Sequence, residues 1–507
     1  MSLIRSSLLV GLGSMASRVL GFVRDMLFAQ ALGAGPAADA FLAAFRLPNL
    51  VRRVVGEGGL NPALIPALSH LEPDDAATTA GDVLSVFGLA LLGLTALVEI
   101  GAGLLALVLA PGLHDDGEAL ALVALYTRLS FPIVLSVTLA SIGAALLNMR
   151  GRFAATALAP LAVNGGLILV LIGMEAGLSL PLAQKAAWLA LASSLAGLVQ
   201  LALVAAALWM GETRLVRFRK PRWSPLLKNL LLAGFPVLLA SGAMQLFILA
   251  ATQIASFWPS GVSWLYYAER VMQLPLGLMA ALGSGLLLPE LARRHRAGET
   301  QAIVAAQNRA LEVALLLALP ASAALIVLAR PMSSVLFERG AFQSSDAEGT
   351  ALVLMALSAG LPFATAAKVL SQTLFARGSV KEVLVAAMLG LALTVAASLL
   401  LAWPFGPTGI ALGVSAGCVG HAAAVVSGLN RIGLWAPDRA LAGRSIRIVL
   451  AVLAMSLGLV EAGPLFPQTG IASLASLCLA GLALYVLAAW ATGAVTREDW
   501  VALTKKA

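Results

Sequence analysis

The sequence predicts an all-α polytopic membrane protein of fourteen transmembrane helices: two six-helix lobes in a parallel-repeat arrangement, followed by two C-terminal helices. Three observations carry this. Hydrophobic residues make up 60% of the 507-residue chain and charged residues only 11%, with mean hydropathy +0.94; a soluble domain carries about 25% charged residues. The apolar residues fall in continuous runs long enough to cross a hydrocarbon core of roughly 30 Å. These runs do not alternate, which argues against a β-barrel. Finally, three pairs of similar segments recur at nearly one offset.

The spans lie at about 7–31, 37–60, 82–112, 119–148, 154–174, 182–210, 229–257, 262–290, 303–330, 346–376, 380–403, 408–430, 444–463 and 470–494. Arg5 ahead of the first run resembles a signal peptide, but the run continues through Arg18 and Arg24 without a small-residue cleavage pattern. It therefore reads as a retained helix. An even number of spans puts both termini on one side. The N-terminus, the loops after even-numbered spans and the tail hold most of the basic loop residues, among them Arg150, Arg152, Arg217, Lys220, Arg293, Arg377, Arg431 and Arg497. The opposite side holds Lys185, Arg330 and Arg339. The positive-inside rule places both termini in the cytoplasm. The acidic segment "HLEPDDAATTAGD" after span 2 dissents, but acidic residues carry little topological weight.

The repeat pairs "AFRL" (Ala44–Leu47) with "AERV" (Ala268–Val271), an offset of 224. "LIPAL" (Leu64–Leu68) pairs with "LLPEL" (Leu287–Leu291) at 223, and "LNMRG" (Leu147–Gly151) with "LFARG" (Leu374–Gly378) at 227. That offset corresponds to six spans, an even number, so the lobes share one orientation about an axis along the membrane normal. The implied division is 1–215 for the N-lobe, 216–432 for the C-lobe, and 433–507 for the last two spans and a cytoplasmic tail.

The net charge of +8 does not point to nucleic acid, because most basic residues sit in short topology-setting loops. Cys418 and Cys478 lie inside apolar runs, and the four histidines are scattered, so neither a disulfide nor a metal site is expected. No Walker-type phosphate loop, Ser-His-Asp set or metal spacing is present, which speaks against an enzyme and against ATP hydrolysis on this chain.

The chemistry-bearing residues are charges inside the spans. Span 1 holds Arg18, Arg24 and Asp25; span 2 holds Asp39, Arg46, Arg52, Arg53 and Glu57; span 8 holds Glu269 and Arg270. A charge at the centre of a helix costs roughly 2.5–3.5 kcal/mol on insertion scales, and Arg18 falls near mid-depth at about 1.5 Å per residue. Such residues face a cavity or a partner. Arg18 and Asp25, seven apart, share a face; Asp39, Arg46 and Arg53 form a stripe with Glu57 that is able to neutralise itself. Arg52 lies off that stripe by about a hundred degrees, and Arg24 is turned away from Arg18. Arg309 and Glu312, three apart, read as an ion pair. The surplus is cationic, which suits an anionic substrate, and guanidinium forks suit phosphate oxygens.

At "SRVLGFVRDMLFAQALGAG" and "DAFLAAFRLPNLVRRVVGEGGLNPALIPAL" the chain closely resembles the MurJ (MviN) family of lipid II flippases, in the multidrug/oligosaccharidyl-lipid/polysaccharide exporter superfamily. "LLNMRGRFAATALAP", "VSWLYYAERVMQLPLGLMAALGSGLLLPEL" and "LFERGAF" extend the match. The resemblance implies that Arg18, Arg24, Arg52 and Arg270 bind substrate, with Ser17, Asp25, Asp39, Asn49, Arg53 and Glu57 in supporting or gating roles. It implies a groove for a polyprenyl tail along spans 13 and 14. The substrate would be lipid II, an undecaprenyl diphosphate carrying a disaccharide-pentapeptide, moved from the inner to the outer leaflet of the bacterial cytoplasmic membrane by alternating access. Bilayer lipids are implied partners, nucleic acid is not, and there is room for transient contacts with wall-synthesis enzymes. Some relatives bind sodium through acidic and amide side chains of spans 7, 11 and 12; the expectation here is that those three spans contain no Asp or Glu. The expectation is therefore no cofactor and no metal, with the membrane potential as driving force. The alternatives are a flippase for another polyprenyl-diphosphate oligosaccharide, which shares the phosphate logic, a drug or cation antiporter, which an acidic cavity would suit better, and a non-transporting scaffold.

Overall fold

The computed structural model describes residues 3–53, 68, 70–177, 180–210, 215–218, 228, 240, 242–463 and 470–495, and no strand occurs among them. They divide into two compact units: Met1–Gly242 with Thr252–Ser263 and Arg339–Phe342, and Ala243–Ala251 with Trp264–Glu338 and Gln343–Ala507.

The first unit contains α1 (Leu3–Leu32), α2 (Pro36–Arg53), α3 (Pro73–Leu109), α4 (Gly117–Ser130), α5 (Ile133–Met149), α6 (Phe153–Gly177) and α7 (Leu182–Trp209). Asp116 starts α4 by accepting hydrogen bonds from the Glu118 and Ala119 amides at 3.1 and 2.9 Å, filling donors that the first helical turn leaves open. The fourth predicted span is two helices, because Pro132 supplies no amide to the backbone ladder between α4 and α5. Helix α1 packs on α6, α6 on α7, and α2 on α4. Aromatic rings fill the α1–α2 contact. Phe28 meets Phe41 edge-on at 5.5 Å, and Phe41 stacks on Phe45 at 5.4 Å.

The facing ends of α8 (Ala243–Ala255) and α9 (Gly261–Arg296) belong to the first unit and their remainders to the second. The second unit continues with α10 (Thr300–Val327), α11 (Ala329–Phe337), α12 (Ser344–Ser358), α13 (Leu361–Ala376), α14 (Val380–Arg431), α15 (Arg439–Ala462) and α16 (Ile471–Ala491). Helix α14 covers two predicted spans in 52 residues and folds back at Gly406, whose φ of 57° is open to glycine at little cost. Its two legs then meet on small residues. A Cβ on Gly409, Gly413 or Gly417 would fall on Leu401, Ser398 or Thr394 respectively, a small-xxx-small interface of the kind that brings helices together in lipid. Glu382 stands in the first turn of α14, inside the predicted span 380–403, so the expectation that span 11 contains no acid is corrected there; a carboxylate at this end of a helix sits against the positive end of its dipole. Helix α15 packs on α10 and α16 around Ile448, Met455, Leu459 and Tyr485.

Among the described residues, nine helical stretches are long and apolar enough to cross a membrane, with α14 counted once. Their outer faces confirm the environment. On α3, Leu97, Ile100 and Leu104 are 69, 84 and 73% exposed at helical spacing. A stripe of this size marks a surface covered by something apolar, and in a chain of this hydropathy that cover is lipid. The protein is a polytopic α-helical membrane protein.

Candidate functional site

The charged positions singled out from the sequence fall on α1, α2 and α9. On α1, Arg18 is exposed and Ser17 half-buried, whereas Arg24 and Asp25, nearly two turns further on, are buried. Arg24 donates to Asp25 Oδ1 through Nε at 3.1 Å and Nη2 at 2.7 Å, and to Asn164 Oδ1 on α6 through Nη1 at 3.0 Å. Its guanidinium also lies over the Phe28 ring at 5.3 Å. Asn164 Nδ2 in turn donates to the Ser17 carbonyl at 3.0 Å. Helix spacing offers Arg18 as the partner for Asp25, but the structure supplies the adjacent Arg24. The guanidinium reaches Asp25 and the Asn164 acceptor together. Arg24 is thus oriented and largely neutralised, while Arg18 keeps its charge on an accessible surface.

On α2, Asp39 is buried and accepts from Ser263 twice, from the amide at 2.8 Å and from the hydroxyl at 2.5 Å. Ser263 lies in the first turn of α9. Asp39 therefore caps another helix: its carboxylate satisfies an open amide and sits against the positive end of the helix dipole. Arg46, also buried, donates from Nε to Thr252 Oγ1 at 3.0 Å, and Asn49 is buried on the same helix. Asp39 and Arg46 thus each turn to another segment, beyond the stripe on their own helix that the spacing suggested. Arg52 and Arg53 end α2, and their side chains, like Glu57, lie outside the described residues.

On α9, in the second unit, Arg270 is held over the Tyr266 ring at 4.6 Å. It donates from Nη2 to the Tyr266 hydroxyl at 2.9 Å and from Nη1 to Gln273 Oε1 at 3.3 Å. Gln273 bridges onward to the Glu269 carboxylate. Aromatic stacking, the phenol oxygen and the Gln273 amide oxygen fix the direction of the fork. The Arg309–Glu312 pair is present at 2.9 Å.

These geometries describe a membrane protein with oriented arginines on particular helices, and comparison with known proteins shows which one it resembles. The model of the family described as "Lipid II flippase MurJ" matches residues 28–479. The chain belongs to the MurJ family. A "Probable lipid II flippase MurJ" of Rhizobium meliloti (strain 1021) is 35% identical, over 97% of this chain and 94% of the relative. A "Lipid II flippase MurJ" of Burkholderia cenocepacia is 30% identical, over 90% of this chain and 89% of its own. A solved structure titled "Lipid II flippase MurJ, inward closed conformation" superimposes with TM-score 0.77 at 22% identity, covering 95% of this chain and 98% of that one. A multidrug resistance MATE family transporter in an inward-facing conformation shares the fold at TM-score 0.68 and 17% identity, covering 82% of this chain and 94% of that one. MurJ proteins are transporters and not catalytic enzymes, so the arginines of this chain are to be read as binding or structural groups.

Sequence reasoning missed Asn164, Thr252 and Ser263, which hold Arg24, Arg46 and Asp39. No local pattern points to them. Tyr266 and Gln273 were within reach: they stand at i−4 and i+3 from Arg270, on one helical face.

Proposed function

We propose that this chain is a lipid II flippase, carrying the lipid-linked peptidoglycan precursor from the inner to the outer leaflet of the bacterial cytoplasmic membrane. The observation that carries this reading is the family match across residues 28–479. The charges support the finer mechanism. Arg18 and Arg270 present guanidinium groups on helices otherwise built for lipid, and guanidinium binds diphosphate oxygens two at a time. In this reading Arg18, Arg24, Arg52 and Arg270 hold the diphosphate, with Arg24 exchanging the Asp25 carboxylate for a phosphate oxygen. The lobes, 1–215 and 216–432, alternate access to that site. The polyprenyl tail stays in the bilayer along 433–507, where α15 and α16 expose Leu453, Leu457, Leu479 and Leu482. The fourteen-span plan with cytoplasmic termini completes the proposal.

Its test is the appearance of lipid II in the outer leaflet after depletion of the chromosomal protein, with variants supplied in trans. Wild type restores export. Alanine at any of the four arginines abolishes it while the protein still inserts, and Arg52→Lys rescues in part, because an ammonium lacks the fork. Complementation by all four alanine variants at normal abundance would refute the cationic site; failure of the wild type to restore export would refute the flippase reading itself.

A further inference from the structure

Two helices of the second unit bring two sulfurs and an imidazole to one crossing. On the second leg of α14, Cys418 is 1% exposed, and its thiol donates to Met244 Sδ on α8 at 3.7 Å. His421, three residues beyond Cys418, lies on the same face of that leg. It turns to α8 as well: its ring meets Phe247, one turn past Met244, edge-on at 5.9 Å. Residues 243–251 and all of α14 belong to the second unit, so the crossing lies inside that unit. Spacing along the chain conceals the set, because Met244 precedes Cys418 by 174 residues.

The imidazole is the member that packing does not explain. His421 is more than nine-tenths buried, at 8% exposure, and its Nε2 finds no hydrogen-bond partner among the described residues. The ring is also walled in. A Cβ on Gly390, on the first leg of α14, would fall 2.6 Å from Phe247 Cζ and 2.8 Å from His421 Cβ. A buried nitrogen left unpaired is costly. Cys418 and Met244 alone read as adaptable apolar filling, but that reading leaves Nε2 without a role. A metal ion uses all three groups.

The donors select the ion. Cysteine and methionine sulfur favour Cu(I), and imidazole also suits copper. Among the described residues no three of His, Cys, Asp and Glu come together, so the oxygen-rich cage that calcium or magnesium needs is not formed by them. Charge points the same way. When Cys418 takes the ion its thiol proton passes to solvent, and the thiolate cancels the single positive charge. A divalent ion would leave a net charge buried between apolar helices.

We propose that Met244, Cys418 and His421 form a binding site for Cu(I), with two sulfurs and one nitrogen as ligands. The ion ties α8 to the second leg of α14. The inference does not depend on which substrate the protein carries.

The test is a Cu(I) titration of the purified, reduced full-length protein against a chromogenic Cu(I) chelator. Cys478, the exposed thiol, is replaced throughout as Cys478→Ser. This parent protein retains about one copper per chain, and X-ray absorption of the bound metal shows sulfur and nitrogen neighbours. Cys418→Ser, a change of small volume, abolishes retention. Met244→Leu, which conserves volume, weakens it by roughly tenfold or more. His421→Leu removes the nitrogen neighbour from the spectrum. Zn(II) offered in the same way is not retained. The proposal is overturned if the parent holds no copper, if Cys418→Ser or Met244→Leu holds it as well as the parent, or if Zn(II) is held equally. The parent's spectrum needs no variant: copper with sulfur neighbours alone overturns the three-ligand set, as does a nitrogen neighbour that survives His421→Leu.

Discussion

Asp39 and Ser263 stand 224 residues apart and are joined by two hydrogen bonds. The same number of residues separates "AFRL" from "AERV". In the repeat read from the sequence, the bonded residues fall at corresponding places, near the starts of α2 and α9. Under that repeat, a carboxylate at one position and a hydroxyl at its counterpart form a complementary pair.

The pair predicts a stability effect. Asp39→Ala strips the cap from α9 and leaves the buried Ser263 amide and hydroxyl without that acceptor, a loss of about 1–3 kcal/mol. Asp39→Asn keeps one acceptor oxygen and should lose less. Thermal unfolding in detergent reads both, and an unchanged midpoint for the alanine variant would contradict the capping role.

Arg24 and Asp25 form a buried pair, with side-chain exposures of 9 and 3%. Removing one partner of such a pair costs about 3–5 kcal/mol, because the other charge remains buried. Arg24→Ala should thus destabilise more than the double variant Arg24→Ala/Asp25→Ala. The comparison separates a structural loss from a transport loss. If the double variant regains stability but not lipid II export, Arg24 acts in transport as well as in folding; regained export would leave it a structural role alone.

Helix α14 is closed by its glycines. Gly413→Leu has no space against Ser398, and overpacking of this kind costs about 1–3 kcal/mol or more. The control is Gly103→Ala, where an added Cβ meets nothing within 4 Å. Purified yield and melting temperature should fall for the first and not for the second; equal behaviour would mean that the legs are not held by this contact.

Orientation is open to cysteine labelling in a background lacking Cys418 and Cys478. A cysteine at Ser224 should react only from the cytoplasm. One at Ser345, exposed at the start of α12, should react only from outside. The reverse pattern would invert the proposed direction of transport.

The energy source is predicted to be the membrane potential. Moving a diphosphate outward carries roughly two negative charges, and an inside-negative potential of 100 mV favours this by about 2.3 kcal/mol per charge. The same field draws the arginines of the empty site inward and resets the carrier. Lipid II export should persist when sodium is removed at constant potential and fail when the potential alone is collapsed. Dependence on sodium would sink this account, and dependence on the pH gradient alone would direct attention to Glu312, which Arg309 and Arg444 share.

The sequence by itself determined that the chain lives in a membrane, that its helices are many, and that α1, α2 and α9 carry charge where lipid demands none. Hydropathy and helical period are local properties, so they survive without knowledge of the fold. The i,i+3 pair of Arg309 with Glu312 was legible for the same reason. Only the tertiary structure decided what each charge meets. Arg24 finds Asn164 at a separation of 140 residues, Arg46 finds Thr252 at 206, and Glu312 finds Arg444 at 132. In helices made largely of leucine and alanine, nothing in the composition sets how far one turns or slides against another. That rotation and depth are fixed by the close packing of all the helices in a unit, and they alone decide whether an arginine is locked into a buried pair, like Arg24, stacked on a ring, like Arg270, or left on an exposed face, like Arg18.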